Sequence, residues 1–238
     1  MKASIDSIES LGLVDGPGIR VVVFFNGCKL RCKYCHNPEM WQKGEENYTP
    51  EELVKKILRY KPYFQKNGGV TFSGGEPLLH GDFIIQVCKL LKKENVHIAL
   101  DTAGVGIGNY EKILKNIDLV LLDIKHIHDA GYHEITGGNM EEVDKFIKEL
   151  NKSNAKVWVR QVVIPNVNDN SEYIASLIEY LKQIKHIEKV EFLPFHRLGR
   201  EKYTLLGLKY PYEDKSDMDK QRCSQLYNEF AKKFWKNY

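Results

Sequence analysis

No apolar run in this 238-residue chain approaches the roughly 20 residues that a bilayer-spanning helix needs, so no membrane span is expected. Neither charge dominates. Thirty-five Lys and Arg stand against 32 Asp and Glu, and a net charge of +3 is too small to imply a nucleic-acid or membrane partner by itself. The opening stretch MKASIDSIESLGLVDG scatters charge and glycine and lacks a signal-peptide core, so a cytoplasmic location is expected. No low-complexity tract or Pro/Gly/Ser-rich linker divides the sequence, which reads as a single domain over 1–238. Cysteine is scarce as well. Five residues, an odd number, argue against a disulfide framework and for a metal or redox site. A chain of this length buries roughly 70% of its unfolded surface, so it needs no covalent or metal staple to fold.

What is present alternates between strand-like and helix-like segments. Residues 20–25 (RVVVFF) form a β-branched and aromatic run without helical period, as a buried strand would. Thr49, Pro50 and Glu51 then start a helix, with Thr as N-cap, Pro in the first turn and acids at the positive end. Further strands are expected at 70–72, 97–100, 119–124, 156–164 and 190–195, with helices at 82–95, 110–116, 140–150, 172–184 and 217–235. Six strands separated by helices imply an α/β fold with a parallel sheet, because parallel neighbours need crossover connections. A doubly wound sheet would gather its site at one switch point, whereas a barrel brings every strand's C-terminus to one mouth. Here the chemistry-bearing residues follow one strand after another: the cysteines, then GGEP, DTAG, DIK and PFH. That pattern favours a barrel. Six units are too few to close the usual ring of eight, so a lateral opening is expected.

Cys28, Cys32 and Cys35 stand as C-x3-C-x2-C just after the first of these strands. Soft thiolates favour zinc, copper or iron–sulfur clusters. Structural zinc wants four ligands in a closed tetrahedron; His36 adjoins Cys35 and is poorly placed to complete one, and no second cysteine pair exists. A 4Fe–4S cluster ordinarily takes four cysteines, so three would leave one iron open for a substrate. Cys88 and Cys223 fall on helix faces and read as inert packing residues.

The motif CKLRCKYC resembles the cluster-binding motif of the radical S-adenosylmethionine (radical SAM) enzymes. The surrounding VDGPGIRVVVFFNGCKLRCKYCHNPEMW is similar to the glycyl radical enzyme activating family, including the activases of pyruvate formate-lyase. The resemblance continues through SGGEP, LDTAG, LLDIKH, VWVRQVVIP and EFLPFHRLG, which gives a core of about 15–199 and a C-terminal extension over 200–238. It implies a partial (β/α)6 TIM-like barrel with a C-terminal helix, one 4Fe–4S cluster on Cys28, Cys32 and Cys35, and S-adenosyl-L-methionine on the open iron. Reductive cleavage would yield a 5′-deoxyadenosyl radical that takes a glycine Cα hydrogen from the protein substrate.

By the same resemblance, Tyr34, His36 and His196 contact the adenosyl part, and Gly74, Gly75 and Glu76 receive the methionyl amino group. Asp123, Ile124, Lys125 and Val162 complete the cofactor pocket, with Lys125 paired to the methionyl carboxylate. Asp101, Thr102 and Asp123 are the candidate ligands of a monovalent cation. Asp15 meets the protein substrate, and Arg160 is a weaker candidate. Flavodoxin or ferredoxin is the implied reductant, anaerobic operation follows from an exposed cluster, and a monomer is expected. No Cys lies between Cys35 and GGEP, so no additional cluster domain is inserted there. Three other readings stay open: an activase of another glycyl radical enzyme, a small-molecule radical SAM enzyme such as a deazaguanine synthase, and a non-catalytic zinc module.

Overall fold

The computed structural model describes residues 1–236 and 238. Its centre is one sheet whose seven strands lie in chain order: β1 (Ile5–Gly12), β2 (Arg20–Phe25), β3 (Gly69–Gly74), β4 (His97–Thr102), β5 (Leu119–Asp123), β6 (Lys156–Val163) and β7 (Ile187–Pro194). The pairs from β2 to β7 are all parallel, while β1 is antiparallel to β2. An order without reversal is that of a barrel wall rather than of a doubly wound sheet. The six parallel strands are those expected from the sequence, and β1 is an addition. Its burial alternates as an edge strand's does, with few apolar residues, so it carries little hydrophobic signal.

Helices cover the outer face: α1 (Pro50–Leu58), α2 (Gly81–Lys93), α3 (Tyr110–Leu114), α4 (Asp129–Thr136), α5 (Met140–Leu150), α6 (Ser171–Leu181), α7 (Arg200–Leu205) and α8 (Lys220–Phe234). Local chemistry fixes several starts. Thr49 Oγ1 accepts from the Glu52 amide at 3.2 Å, and Glu52 Oε2 accepts from the Thr49 amide at 2.9 Å, a reciprocal capping box. Asn139, Asn170 and Asp219 cap α5, α6 and α8 in the same sense. Two helices were not foreseen. α4 (DAGYHEIT) contains Gly, Thr and a short apolar set, and α7 spans only six residues. Burial of Tyr132 and Ile135, and of Tyr203, holds them in place despite weak propensity.

Strand alternation splits the core in two. Val21, Val23, Phe25, Val70, Phe72, Ile98, Leu100, Val120 and Leu122 point outward into the main core beneath the helices. Ala99, Leu119 and Leu121, with Trp158 against them, form a smaller apolar cluster on the inner face. The same inner face carries Ser73, Asp101, Asp123 and Arg160, which line the cavity described next. β1 and β7 are the two edges of the sheet. Among the described residues, no helix is long and apolar enough to cross a membrane.

Candidate active site

A cavity of about 680 Å³ lies where the parallel strands end. β2 delivers the cysteine loop to it through Gly27, whose φ of +94° suits glycine. The loop is fastened on both flanks. Gly27 and Cys28 donate their amides to the Met40 and Trp41 carbonyls at 2.8 and 3.2 Å, and Arg31 and Lys33 donate to the last carbonyls of α4, Thr136 and Ile135, at 2.7 and 2.9 Å. Cys28, Cys32 and Cys35 all line the cavity, whereas Cys88 and Cys223 are buried within α2 and α8.

Burial pushes the Cys28 thiol up to about 11, with Glu76 adding to the rise, and the Cys32 thiol up to about 12 against the opposing charge of Lys125. Burial raises Cys35 too, while the Asn37 amide and Trp41 work against it. Such thiols stay protonated at neutral pH unless a cationic centre takes them as ligands.

β3 ends in the glycine pair. Gly74 has φ +113°, and a Cβ there would sit 2.3 Å from the Phe25 amide nitrogen; one on Gly75 would sit 2.3 Å from the Gly27 carbonyl oxygen. The Gly75 and Glu76 amides donate to Phe25 and Gly27, each at 2.8 Å, so this loop is seated on the root of the cysteine loop. Both glycines line the cavity and Glu76 does not. Its carboxylate is buried instead as a brace, accepting from Leu78 N at 3.1 Å, Thr102 Oγ1 at 2.6 Å and Ala103 N at 3.0 Å. Burial raises it to about 7 despite these three donors.

Asp101, at the end of β4, accepts from Ser73 Oγ at 2.8 Å through Oδ2, while its buried Oδ1 has no hydrogen-bond partner among the described residues. Burial raises Asp101 to about 6, with Arg160 opposing and Asp123 adding to the rise. Arg160 reaches Asp101 at 3.5 Å and Glu191 at 3.6 Å, and donates to the Val14 carbonyl at 2.7 Å. Arg160 thus sets one positive charge beside Asp101 and Glu191. Thr102's hydroxyl is committed to Glu76, and Asp123 Oδ2 receives Lys125 Nζ at 2.8 Å. Among the described residues, no three His, Cys, Asp or Glu side chains are arranged to hold a single metal ion.

Lys125 points into the cavity 5.6 Å from the Tyr34 ring centroid. Burial works against its charge, but the Asp123 carboxylate outweighs burial and holds the ammonium charged. Ile124 is core, 2% exposed, and contributes its amide to Arg160 O at 2.9 Å. Val162 and His196 line the cavity from β6 and the end of β7. The rings of His36 and His196 stack at 4.4 Å and 22°, and His36 Nε2 donates to the His196 carbonyl at 3.2 Å. Asp15 also reaches the cavity. Sequence reasoning passed over Phe24, Ser73, Trp41 and Leu198, which line it too. Ser73 and Trp41 sit inside the quoted SGGEP and CHNPEMW motifs and carried no separate signal.

Residues 22–180 match the Radical SAM superfamily. A pyruvate formate-lyase-activating enzyme of Clostridium pasteurianum is 54% identical over 224 residues, covering 93% of this chain and 94% of that protein. Another, from Staphylococcus epidermidis, is 39% identical over 237 residues, covering 95% and 94%. The chain belongs to the radical SAM superfamily, in the family of pyruvate formate-lyase-activating enzymes. A solved domain of such an enzyme from Bacteroides vulgatus, 23% identical, shares the fold with a TM-score of 0.56 over 69% of this chain and 94% of its own.

Radical SAM membership implies S-adenosylmethionine and a 4Fe–4S cluster. The donor set fits. Three soft thiols open on one cavity, and a cluster spreads its thiolates over separate irons rather than converging them on one point. Beside them stand an ammonium and a glycine-lined wall suited to an amino acid's carboxylate and amine.

Proposed function

We propose that this protein activates pyruvate formate-lyase by removing a Cα hydrogen atom from a glycine of that enzyme. When bound, the cluster and S-adenosylmethionine supply one-electron cleavage of the sulfonium and hence a 5′-deoxyadenosyl radical. The chain's own residues bind, orient and shield. Cys28, Cys32 and Cys35 hold the cluster. Lys125, kept charged by Asp123, takes the methionyl carboxylate through a charge-assisted hydrogen bond. Gly74 and Gly75 let the backbone approach the methionyl amine, and Glu76 acts from behind by tying their loop to Thr102 and Ala103. Tyr34, His36, His196 and Val162 enclose the adenosyl part, and Asp15 meets the protein substrate at the cavity's edge.

A monovalent cation by Asp101 and Asp123 belongs to the same reading, supported by the unpartnered Asp101 Oδ1. Thr102's hydroxyl is engaged by Glu76 and the Gly104 amide. A one-electron donor of the flavodoxin or ferredoxin kind supplies the electron, and the protein works as a monomer built on one radical SAM domain.

The observation that carries this reading is that three cysteines, spaced C-x3-C-x2-C, open on the same cavity as the Lys125–Asp123 pair. The test mixes anaerobically reconstituted, reduced protein with S-adenosylmethionine and pyruvate formate-lyase, and seeks a glycyl radical by EPR. A silent pyruvate formate-lyase beside a radical on another glycyl radical enzyme would move the assignment to that partner. Stoichiometric zinc without S-adenosylmethionine cleavage would overturn it altogether.

A further inference from the structure

Between β1 and β2 the chain forms a strap over residues 13–18, and a buried arginine with no place in the chemistry above holds it. Arg20 opens β2 on the sheet's inner face and is 0% exposed. Among the described residues no carboxylate touches it. Its Nε donates to Thr71 Oγ1 at 2.6 Å, Nη1 to the Pro17 carbonyl at 3.0 Å, and Nη2 to the Val70 carbonyl at 2.5 Å, with His97 Nδ1 at 3.2 Å. Thr71 passes its own hydroxyl hydrogen to the Asp15 carbonyl at 2.6 Å. The backbone is shaped around this group. Gly16, at φ +124°, would carry a Cβ 3.0 Å from Arg20 Cδ, and Gly18, at φ +69°, one 2.6 Å from the Gly68 amide nitrogen. From the other side Arg160 holds the Val14 carbonyl at 2.7 Å.

A buried guanidinium is a poor way to stabilise a core, since an apolar residue of similar volume often serves as well. What only arginine supplies is a planar fork that fixes several carbonyls in one geometry. Here those carbonyls belong to the strap and to the strands beside it. The strap's free surface is apolar: Leu13 is 71% and Val14 79% exposed, next to Asp15 in the cavity wall. Two adjacent exposed apolar side chains at the edge of a cavity suit a peptide segment of a macromolecule better than a small polar ligand.

We propose that Arg20 is a positioning residue for the protein substrate: through Thr71 and the Pro17 carbonyl it holds the 13–18 strap in the shape that receives the partner's glycine-bearing segment. The proposal rests on the activase reading.

Three variants test it in the reconstituted protein. Arg20→Met removes the fork and keeps an apolar stem, Arg20→Lys keeps the charge without the fork, and Thr71→Val cuts the link from Arg20 Nε to the Asp15 carbonyl while leaving the bond to the Pro17 carbonyl. The KM for pyruvate formate-lyase is expected to rise on the order of tenfold in Arg20→Met, as for loss of hydrogen bonds to a charged group. The rise should be smaller in Arg20→Lys and Thr71→Val. Partner-independent release of 5′-deoxyadenosine with dithionite, and kcat at saturating partner, should stay unchanged. Amide exchange at residues 13–18, measured without cofactors, should quicken in all three.

An unchanged KM in a folded variant whose strap exchanges faster would overturn the proposal, as would a parallel loss of partner-independent cleavage. If Arg20→Met does not fold, Thr71→Val decides by the same two readouts. A wild-type protein that cleaves S-adenosylmethionine yet radicalises no partner would overturn the activase reading first, before any variant is made.

Discussion

Lys125 Nζ and Asp123 Oδ2 meet at 2.8 Å at the end of β5, the lysine 14% and the aspartate 26% exposed at their side chains. The pair does two jobs at once: Asp123 keeps the ammonium charged, and the ammonium aims that charge into the cavity. Lys125→Met should weaken S-adenosylmethionine binding by about 1.5–3 kcal/mol, roughly 10- to 100-fold, while iron content stays at the wild-type level. It also strands Asp123, so Lys125→Met/Asp123→Asn should recover thermal stability without recovering binding. Titration of bound S-adenosylmethionine alongside melting curves separates the two effects.

The cysteines divide by where they lie. Alanine at Cys28, Cys32 or Cys35 should abolish stable iron–sulfur incorporation, seen as loss of the reduced-cluster EPR signal and of iron and sulfide. Cys88→Ala, in the fully buried face of α2, should keep the cluster and cost about 1 kcal/mol of stability. Iron retained by a Cys32 variant at wild-type stoichiometry would contradict the assignment.

Backbone closeness governs the glycine loop. Gly75→Ala places a methyl 2.3 Å from the Gly27 carbonyl and 2.8 Å from the Met40 carbonyl, so the loop must move off the root of the cysteine loop. S-adenosylmethionine binding should fall by at least an order of magnitude, as expected for a displacement of about 1 Å in a positioned site. Gly108→Ala is the control. Its φ of +100° makes the substitution cost about 1–3 kcal/mol of stability, but nothing stands within 4 Å, and binding should be unchanged.

Glu76 sets a pH dependence. Its folded value, about 7, lies above the ordinary 4.5 because burial penalises the carboxylate. Between those values the folded chain binds more protons than the unfolded one, so stability falls as pH rises through this window. The shift corresponds to about 3 kcal/mol, fully present below pH 4.5 and gone above pH 7. Asp101, raised to about 6 from 3.8 mainly by burial, adds a slope of the same sign. Glu76→Gln should remove its share of the slope. It should also cost about 1–3 kcal/mol, because the amide cannot accept from Leu78, Thr102 and Ala103 together. Urea midpoints of the cofactor-free protein from pH 4.5 to 7.5 report both effects.

Much of this fold was legible because buried parallel strands announce themselves. RVVVFF and LVLLD leave no alternative period, and their spacing by amphipathic segments makes the sheet parallel. β1 was not legible, since an edge strand needs only one buried face and this one shows few apolar residues. α4 escaped for a related reason: its helicity comes from the buried Tyr132 and Ile135 rather than from its own propensity. At the site, the order of motifs announced which strand ends would meet. What it could not announce was how polar groups pair once gathered. Glu76 turns away from the cavity to brace Thr102, and Arg160 on β6 pairs with both Asp101 and Glu191. Pairings of that kind depend on distances across the barrel, which spacing along one strand does not encode.

The cysteine loop has one more consequence. Four of its amides, those of Gly27, Cys28, Arg31 and Lys33, are already spent on the Met40, Trp41, Thr136 and Ile135 carbonyls, none of which involves a thiol. These four bonds are ones that iron neither makes nor breaks. Iron lost to oxygen is therefore expected to leave a template to be refilled rather than a chain to be refolded, so iron and sulfide alone should restore the cluster.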